Sequence, residues 1–142
     1  MLPSTPAVEP PALSPHLAER AHALNDAPLR AAGEFVLCWL HHAVRGHENP
    51  VLSAALELGN ALGLPVLVYQ GLGGQHPYNN DRHHTFILEG ARDAHADIQA
   101  RGVRAVFHLD PTGCEPSPLQ ALAQRAAACV IEDYPAPPFP AW

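Results

Sequence analysis

No apolar run in this 142-residue chain approaches the roughly 18 residues that a membrane-crossing helix needs, so no membrane span is expected. The first residues lack a basic segment followed by an apolar core, which argues against a secretory signal. Basic residues are scarce: 8 Lys and Arg stand against 14 Asp and Glu, a formal charge of −6. Strong nucleic-acid binding needs clustered cations that neutralise phosphates, so this chain alone is not expected to supply it. CxxC spacing is absent, and Cys38, Cys114 and Cys129 are odd in number. They read as reduced thiols of a cytoplasmic protein rather than as a disulfide or metal framework. HExxH, Cys/His-finger and carboxylate–histidine spacings are also missing, so no metal is expected. Aromatic and Met content is low, and no stripe marks a protein-binding groove.

Proline and histidine are plentiful instead, at 16 and 10. The adjacent pairs His41-His42 and His83-His84 are poor chelators. Neighbours on a strand point to opposite faces, and neighbours on a helix diverge by about 100°. Pro3, Pro6, Pro10, Pro11 and Pro15 make residues 1–15 an extended or disordered arm. A short helix is expected over 16–25, with Leu17, Ala21 and Leu24 on one face and Asn25-Asp26-Ala27-Pro28 as its stop.

The stretch from Phe35 to Pro50 organises the rest of the chain. Phe35 to Leu40 is a buried-strand run, then a polar loop with histidines and Arg45 leads to Asn49-Pro50, an N-cap with proline at N1. Strand, loop and helix start are how an open α/β sheet builds a ligand crevice beyond its strand ends. Helix 51–62 comes next, with Leu52, Leu56, Gly59 and Leu62 inward and Gly63 as a left-handed cap. A strand over 65–70, a glycine-bearing loop over 71–80, a long helix over 81–101 and a strand over 103–109 succeed it. Ile87, Ala91, Ala94 and Ile98 form the long helix's buried stripe. Ser117-Pro118 opens a further helix with Leu119, Leu122, Ala123 and Ala126 inward, and 129–131 is the last strand. The loop glycines lack GxGxxG register and no GKS or GKT comes after them, which excludes a P-loop. The β-α-β-α-β-α-β order predicts an α/β, Rossmann-like three-layer domain with a mainly parallel sheet in order 3-2-1-4 and Pro-rich extensions at both ends. Its length suits a single domain with a real core. The Pro-rich arm and short helix occupy 1–33, the α/β domain 34–134, and an irregular tail 135–142.

Several motifs carry a resemblance over residues 20–142. Leu24-Asn25-Asp26 followed by Gly33-Glu34-Phe35-Val36-Leu37-Cys38-Trp39-Leu40 is one, and Arg45-x-x-Glu48-Asn49-Pro50 is another. Arg82-His83-His84-Thr85-Phe86-Ile87-Leu88-Glu89-Gly90 and Val130-Ile131-Glu132-Asp133-Tyr134, with Trp142, complete the set. Together they resemble the N-terminal α/β antenna domain of the photolyase/cryptochrome family, nearest the class II-type deoxyribodipyrimidine photolyases. Leu40-His41-His42 stands where those carry Met-Gln-Arg, Glu48 replaces Asp, and His84 replaces Tyr.

The resemblance implies a scaffold for an optional antenna chromophore, a deazaflavin or a folate, that passes excitation to a flavin. It places FAD, lesion binding on damaged DNA and light-driven repair of pyrimidine dimers in a C-terminal helical domain. That domain is expected beyond this chain, with 135–142 as the start of the linker. Acid–base chemistry is not needed for antenna work, which agrees with the lack of a triad or paired carboxylates. The strand C-termini supply the crevice candidates His41, His42, Arg45, Gly71, Gly73, His76, Tyr78, Asp110, Glu132 and Tyr134. Arg45, Glu48, Asn49 and Trp142 are the interdomain candidates. Each has a plainer reading: Arg45 pairing with Glu48 or a nearby carboxylate to lock the loop, Asn49 as an N-cap, Trp39 as a core or interface aromatic. Arg82, at the start of the long helix, is open to an anionic ligand, with solvation or a local ion pair as its plainer reading. Two other functions remain open, a stand-alone nucleotide-binding module of stress-protein type and an interaction domain that docks partners through its Pro-rich ends.

Overall fold

Four apolar runs become four parallel strands: β1 (Val36–Trp39), β2 (Val66–Gly73), β3 (Arg104–Asp110) and β4 (Ala128–Ile131). The computed structural model describes residues 9–73, 80–112 and 116–133. Sheet order is β3-β2-β1-β4, as the alternation of elements predicts. The helices are α1 (Pro15–Ala18), α2 (Pro50–Leu62), α3 (Asp81–Ala100) and α4 (Leu119–Arg125).

The two faces of β1 show how the layers form. Val36, Cys38 and Leu40 join Leu52, Ala55 and Leu58 of α2, Val68 and Ala105 of the sheet, and Ile98 of α3. Phe35, Leu37 and Trp39 point the other way and meet Tyr69, Leu119, Leu122 and Ala126 around α4. Alternate side chains of one strand therefore feed two cores. The chain steps outward from β1 to β3 and then returns to β1's other side, which moves α4 to the opposite face from α2 and α3.

Helix α2 starts and stops as its sequence dictates. Asn49 caps it, and Gly63 takes φ 65°, where Leu64 N–H donates to Gly59 O at 2.9 Å. Three expectations need correction. The helix expected over 16–25 is a single turn, Pro15–Ala18, and Leu24 is 61% exposed. Only Leu17 finds a surface to bury against, and so short an amphipathic segment holds only where it packs. Ser14 anchors this arm, its N–H and hydroxyl donating to the Glu57 carboxylate of α2 at 2.8 and 2.7 Å. Second, β2 runs on through Gly71, Leu72 and Gly73, expected to be loop. Their register with His108, Leu109 and Asp110 continues the ladder, a nonlocal partner that residues 71–73 do not announce. Third, α4 begins at Leu119 rather than at Pro118, though Ser117 Oγ still accepts from Leu119 N–H at 3.3 Å, and Ala123 is exposed.

Histidine 95 is buried between α3 and the sheet. Its Nε2–H donates to Gln70 Oε1 at 3.1 Å, and its ring stands edge-on to Phe107, 5.9 Å between centroids. Burial pushes its pKa below the ordinary imidazole value. The unfolded chain then binds more protons in the window below about 6.5, so stability present above that pH is lost as pH falls through the folded pKa. Urea midpoints are expected to be flat from pH 8 to about 7 and to fall between about pH 6.5 and 5. His95→Gln should shrink that fall. His41 adds a component of the same sign, and an unchanged slope in the variant would assign the whole effect to other groups.

Candidate functional site

The carboxyl ends of β1, β2 and β3 and the start of α4 enclose an open cleft of about 180 Å³. Trp39, Tyr69, Leu72 and Leu119 give it apolar walls, and His41, His108, Asp110 and Ser117 supply polar groups. Tyr69 is 3% exposed, with its hydroxyl 3.3 Å from Ser117 Oγ and 3.5 Å from His108 Nδ1. Glycine at 71 keeps the floor low, because a Cβ there would come 2.8 Å from the Tyr69 hydroxyl oxygen. Asp110 is buried and accepts from Thr112 N–H at 3.2 Å and Thr112 Oγ1 at 3.0 Å, which shapes the turn after β3.

Beside the cleft, the β1–α2 loop is held from within. Asn49 is 2% exposed; its Oδ1 accepts from Val51 N–H at 3.1 Å and Leu52 N–H at 3.3 Å. Its Nδ2 donates to Ala43 O at 2.9 Å and Arg45 O at 3.0 Å. Arg45 donates through Nε and Nη2 to Glu48 O at 3.1 and 2.9 Å, so it locks the loop through Glu48's carbonyl, not its carboxylate. Glu48 itself holds φ 47°. Gly46 is buried against Asp97 of α3, where a Cβ would overlap the carboxylate. Asp97 also bridges Arg101 at 3.1 Å and faces His47 at 3.4 Å; these hydrogen bonds, His47 first, hold its carboxyl below the usual range.

The Glu132 carboxylate reaches across from the end of β4. His41 N–H donates to it at 3.2 Å, Ala43 N–H at 2.7 Å, and His42 N–H also donates to it. His41 Nδ1 lies 3.2 Å from His42 Nε2, with ring centroids 4.3 Å apart, and the His41 ring tilts against Trp39 at 5.6 Å. Desolvation first, then His42, hold the His41 pKa below the ordinary imidazole value, with Glu132 opposing.

Of the candidates read from the sequence, His41, Gly71, Gly73 and Asp110 line the cleft. His42, Arg45 and Glu132 lie in or on the loop beside it. Asn49 spends its amide on that loop and is 2% exposed. His76, Tyr78, Tyr134 and Trp142 lie outside the described residues. The strand-end rule does not single out the lining residues Tyr69, Leu72, His108, Ser117 and Leu119, and Trp39 reads from the sequence as a core or interface aromatic. Alternation with register is the signal for Tyr69 and His108: Trp39 pairs with Tyr69 and Gly71 with His108, which sets these side chains on the α4 face at the strand ends.

Among the described residues no cluster of metal-ligating side chains occurs, and no helix is long and apolar enough to cross a membrane. Cys38 and Cys129 are free thiols; desolvation pushes Cys38 up to about 12 and Cys129 to about 11. Sheet order, layers and strand directions define a Rossmann-like α/β domain with an open cleft at its strand ends. Over 115 residues the chain is 36% identical to a deoxyribodipyrimidine photo-lyase of Methanothermobacter thermautotrophicus, a match that takes in 81% of this chain and 25% of that protein. The chain is thus related to the photolyases, as its motifs implied, and spans about a quarter of that relative's length. No family model matches it. Among solved structures, a universal stress protein from Archaeoglobus fulgidus aligns with TM-score 0.45 and 23% identity, over 70% of this chain and 75% of that one. A protein of the universal stress protein family from Burkholderia pseudomallei gives 0.44 and 22%, over 73% and 84%.

Proposed function

We propose that this chain is the antenna-pigment domain of a cytoplasmic photolyase-like protein. Light-dependent repair of pyrimidine dimers belongs to the whole protein, with FAD and damaged DNA held by a helical domain outside this chain. The observation that carries the reading is the cleft walled by Trp39 and Tyr69 at the strand ends of a photolyase-related sheet. Antenna work needs a planar pigment held rigidly, with water excluded from its faces. A cleft of about 180 Å³ takes one flat ring system and leaves the rest of the ligand outside. Aromatic walls suit such a ring by stacking, and the hydroxyl of Tyr69 with His108 and Asp110 offers polar contacts at its edge.

The test is titration of the purified chain with a deazaflavin and, separately, with a reduced folate. Binding is expected to quench Trp39 fluorescence and shift the pigment's absorbance. Trp39→Leu is expected to weaken binding at least about 10-fold by removing one stacking wall. Trp142→Leu serves as the fluorescence control. If neither pigment binds up to about 100 μM, the antenna reading fails. Binding of an adenine nucleotide instead, with no pigment affinity, would favour the stress-protein-type module.

A further inference from the structure

The loop after β1 carries an anion site that the chain fills from within. Three consecutive N–H groups, of His41, His42 and Ala43, converge on the two oxygens of Glu132. Successive backbone N–H donors around an anion are the means by which many α/β folds hold phosphate. The loop also sits at the switch point of this sheet, since β1 has β2 on one side and β4 on the other. The nearby cation does not reinforce it, because the Arg45 guanidinium is turned onto Glu48 O.

An arriving phosphate would have to displace a carboxylate held by three charge-assisted hydrogen bonds, and would meet its negative charge at close range. Specificity of this kind comes from a repulsive element built against the wrong ligand. We propose that Glu132 is a specificity-determining residue of the crevice. It acts as an internal anion that keeps phosphate-bearing ligands off the β1 loop, and it leaves the aromatic cleft beside it to a ring system. This rests on the pigment reading for what the cleft accepts; what Glu132 rejects is tested without any pigment.

The experiment tracks the backbone amides of residues 41–43 by NMR in the whole 142-residue chain during titration with pyrophosphate. In the wild type these amides are expected to stay in place up to about 10 mM. Glu132→Ala empties the nest, and pyrophosphate is expected to bind at least about 10-fold more tightly, with its largest shifts at 41–43. Glu132→Gln removes the charge while keeping an acceptor near the loop, and is expected to show a smaller gain. Should the alanine variant not fold, the glutamine variant and the wild-type titration decide. Saturable shifts at 41–43 in the wild type below about 1 mM overturn the proposal, and so does the absence of any gain in a folded variant. Failure to bind either pigment, with the pyrophosphate result as expected, removes the antenna reading alone.

Discussion

Alanine at position 33 is expected to leave the chain unfolded, or destabilised by about 4 kcal/mol or more. A Cβ on Gly33 would overlap the N, Cα and Cβ of Ala127. Backbone is thereby pushed against backbone, and neither side is able to yield. Gly33 N–H donates to Arg30 O at 3.0 Å, and Arg30 N–H donates to Ala127 O at 3.0 Å. Ala127 N–H donates to Phe35 O at 2.8 Å, and Glu34 N–H to Arg125 O at 2.9 Å. Moving Ala127 away breaks the pairing through which the chain enters β1 and β4. A loss of this size is a large share of the roughly 5–15 kcal/mol that holds a domain together. Urea unfolding monitored by circular dichroism is the check. Gly90→Ala is the contrast: Gly90 lies inside α3 with nothing within 4 Å of its added Cβ. It should gain up to about 1 kcal/mol from helix propensity. Equal effects at the two positions would show that the close approach at Gly33 is not what limits stability.

Asn49→Ala is the second large effect, a loss of about 3 kcal/mol. The substitution removes an N-cap, which is worth about 1 kcal/mol and up to about 2. It also strips the donor from the carbonyls of Ala43 and Arg45, each such bond contributing about 1 kcal/mol. For a domain of this length the midpoint of thermal unfolding should fall by about 10 °C. Asn49→Asp separates the two halves of the role. Aspartate keeps the cap but sets a carboxylate against two carbonyl oxygens, so it should be no better than alanine. If aspartate were as stable as the wild type, only the cap would matter and the carbonyl anchors would carry no weight.

Much of the fold is written locally. Continuous apolar runs at β1 and β2, the Asn49-Pro50 start of α2 and its Gly63 stop mark elements in their own residues. Alternating strands and helices then leave few sheet orders, and 3-2-1-4 is the one observed. What stayed hidden depends on partners far along the chain. Gly71 to Gly73 read as loop because glycine marks turns, yet a ladder with His108 to Asp110 makes them strand. The 16–25 segment carries an apolar stripe, but only Leu17 meets a surface. At the site, the strand-end rule brings out His41, Gly71, Gly73 and Asp110 because it needs only the ends of strands. Tyr69 and His108 need the register as well, since their facing depends on which residues lie opposite. Glu132 was visible as a strand-end carboxylate, but its three N–H partners lie 89 to 91 residues earlier.

That separation sets an order of events during synthesis. Both ends of the central strand are fastened to late residues: Glu34 to Arg125, 91 positions on, and the loop after β1 to Glu132. While the ribosome is still making residues 44 to 124, β1 has no β4 beside it, and one side of its backbone is an exposed sheet edge. The loop is meanwhile without the carboxylate that shapes it. Closure of the edge, seating of the loop and completion of the crevice therefore fall together, at the moment the last described strand emerges. A nascent chain stalled before Glu132 displays an unpaired sheet edge and an unfilled anion nest at once, and an unpaired edge of this kind invites pairing with other chains.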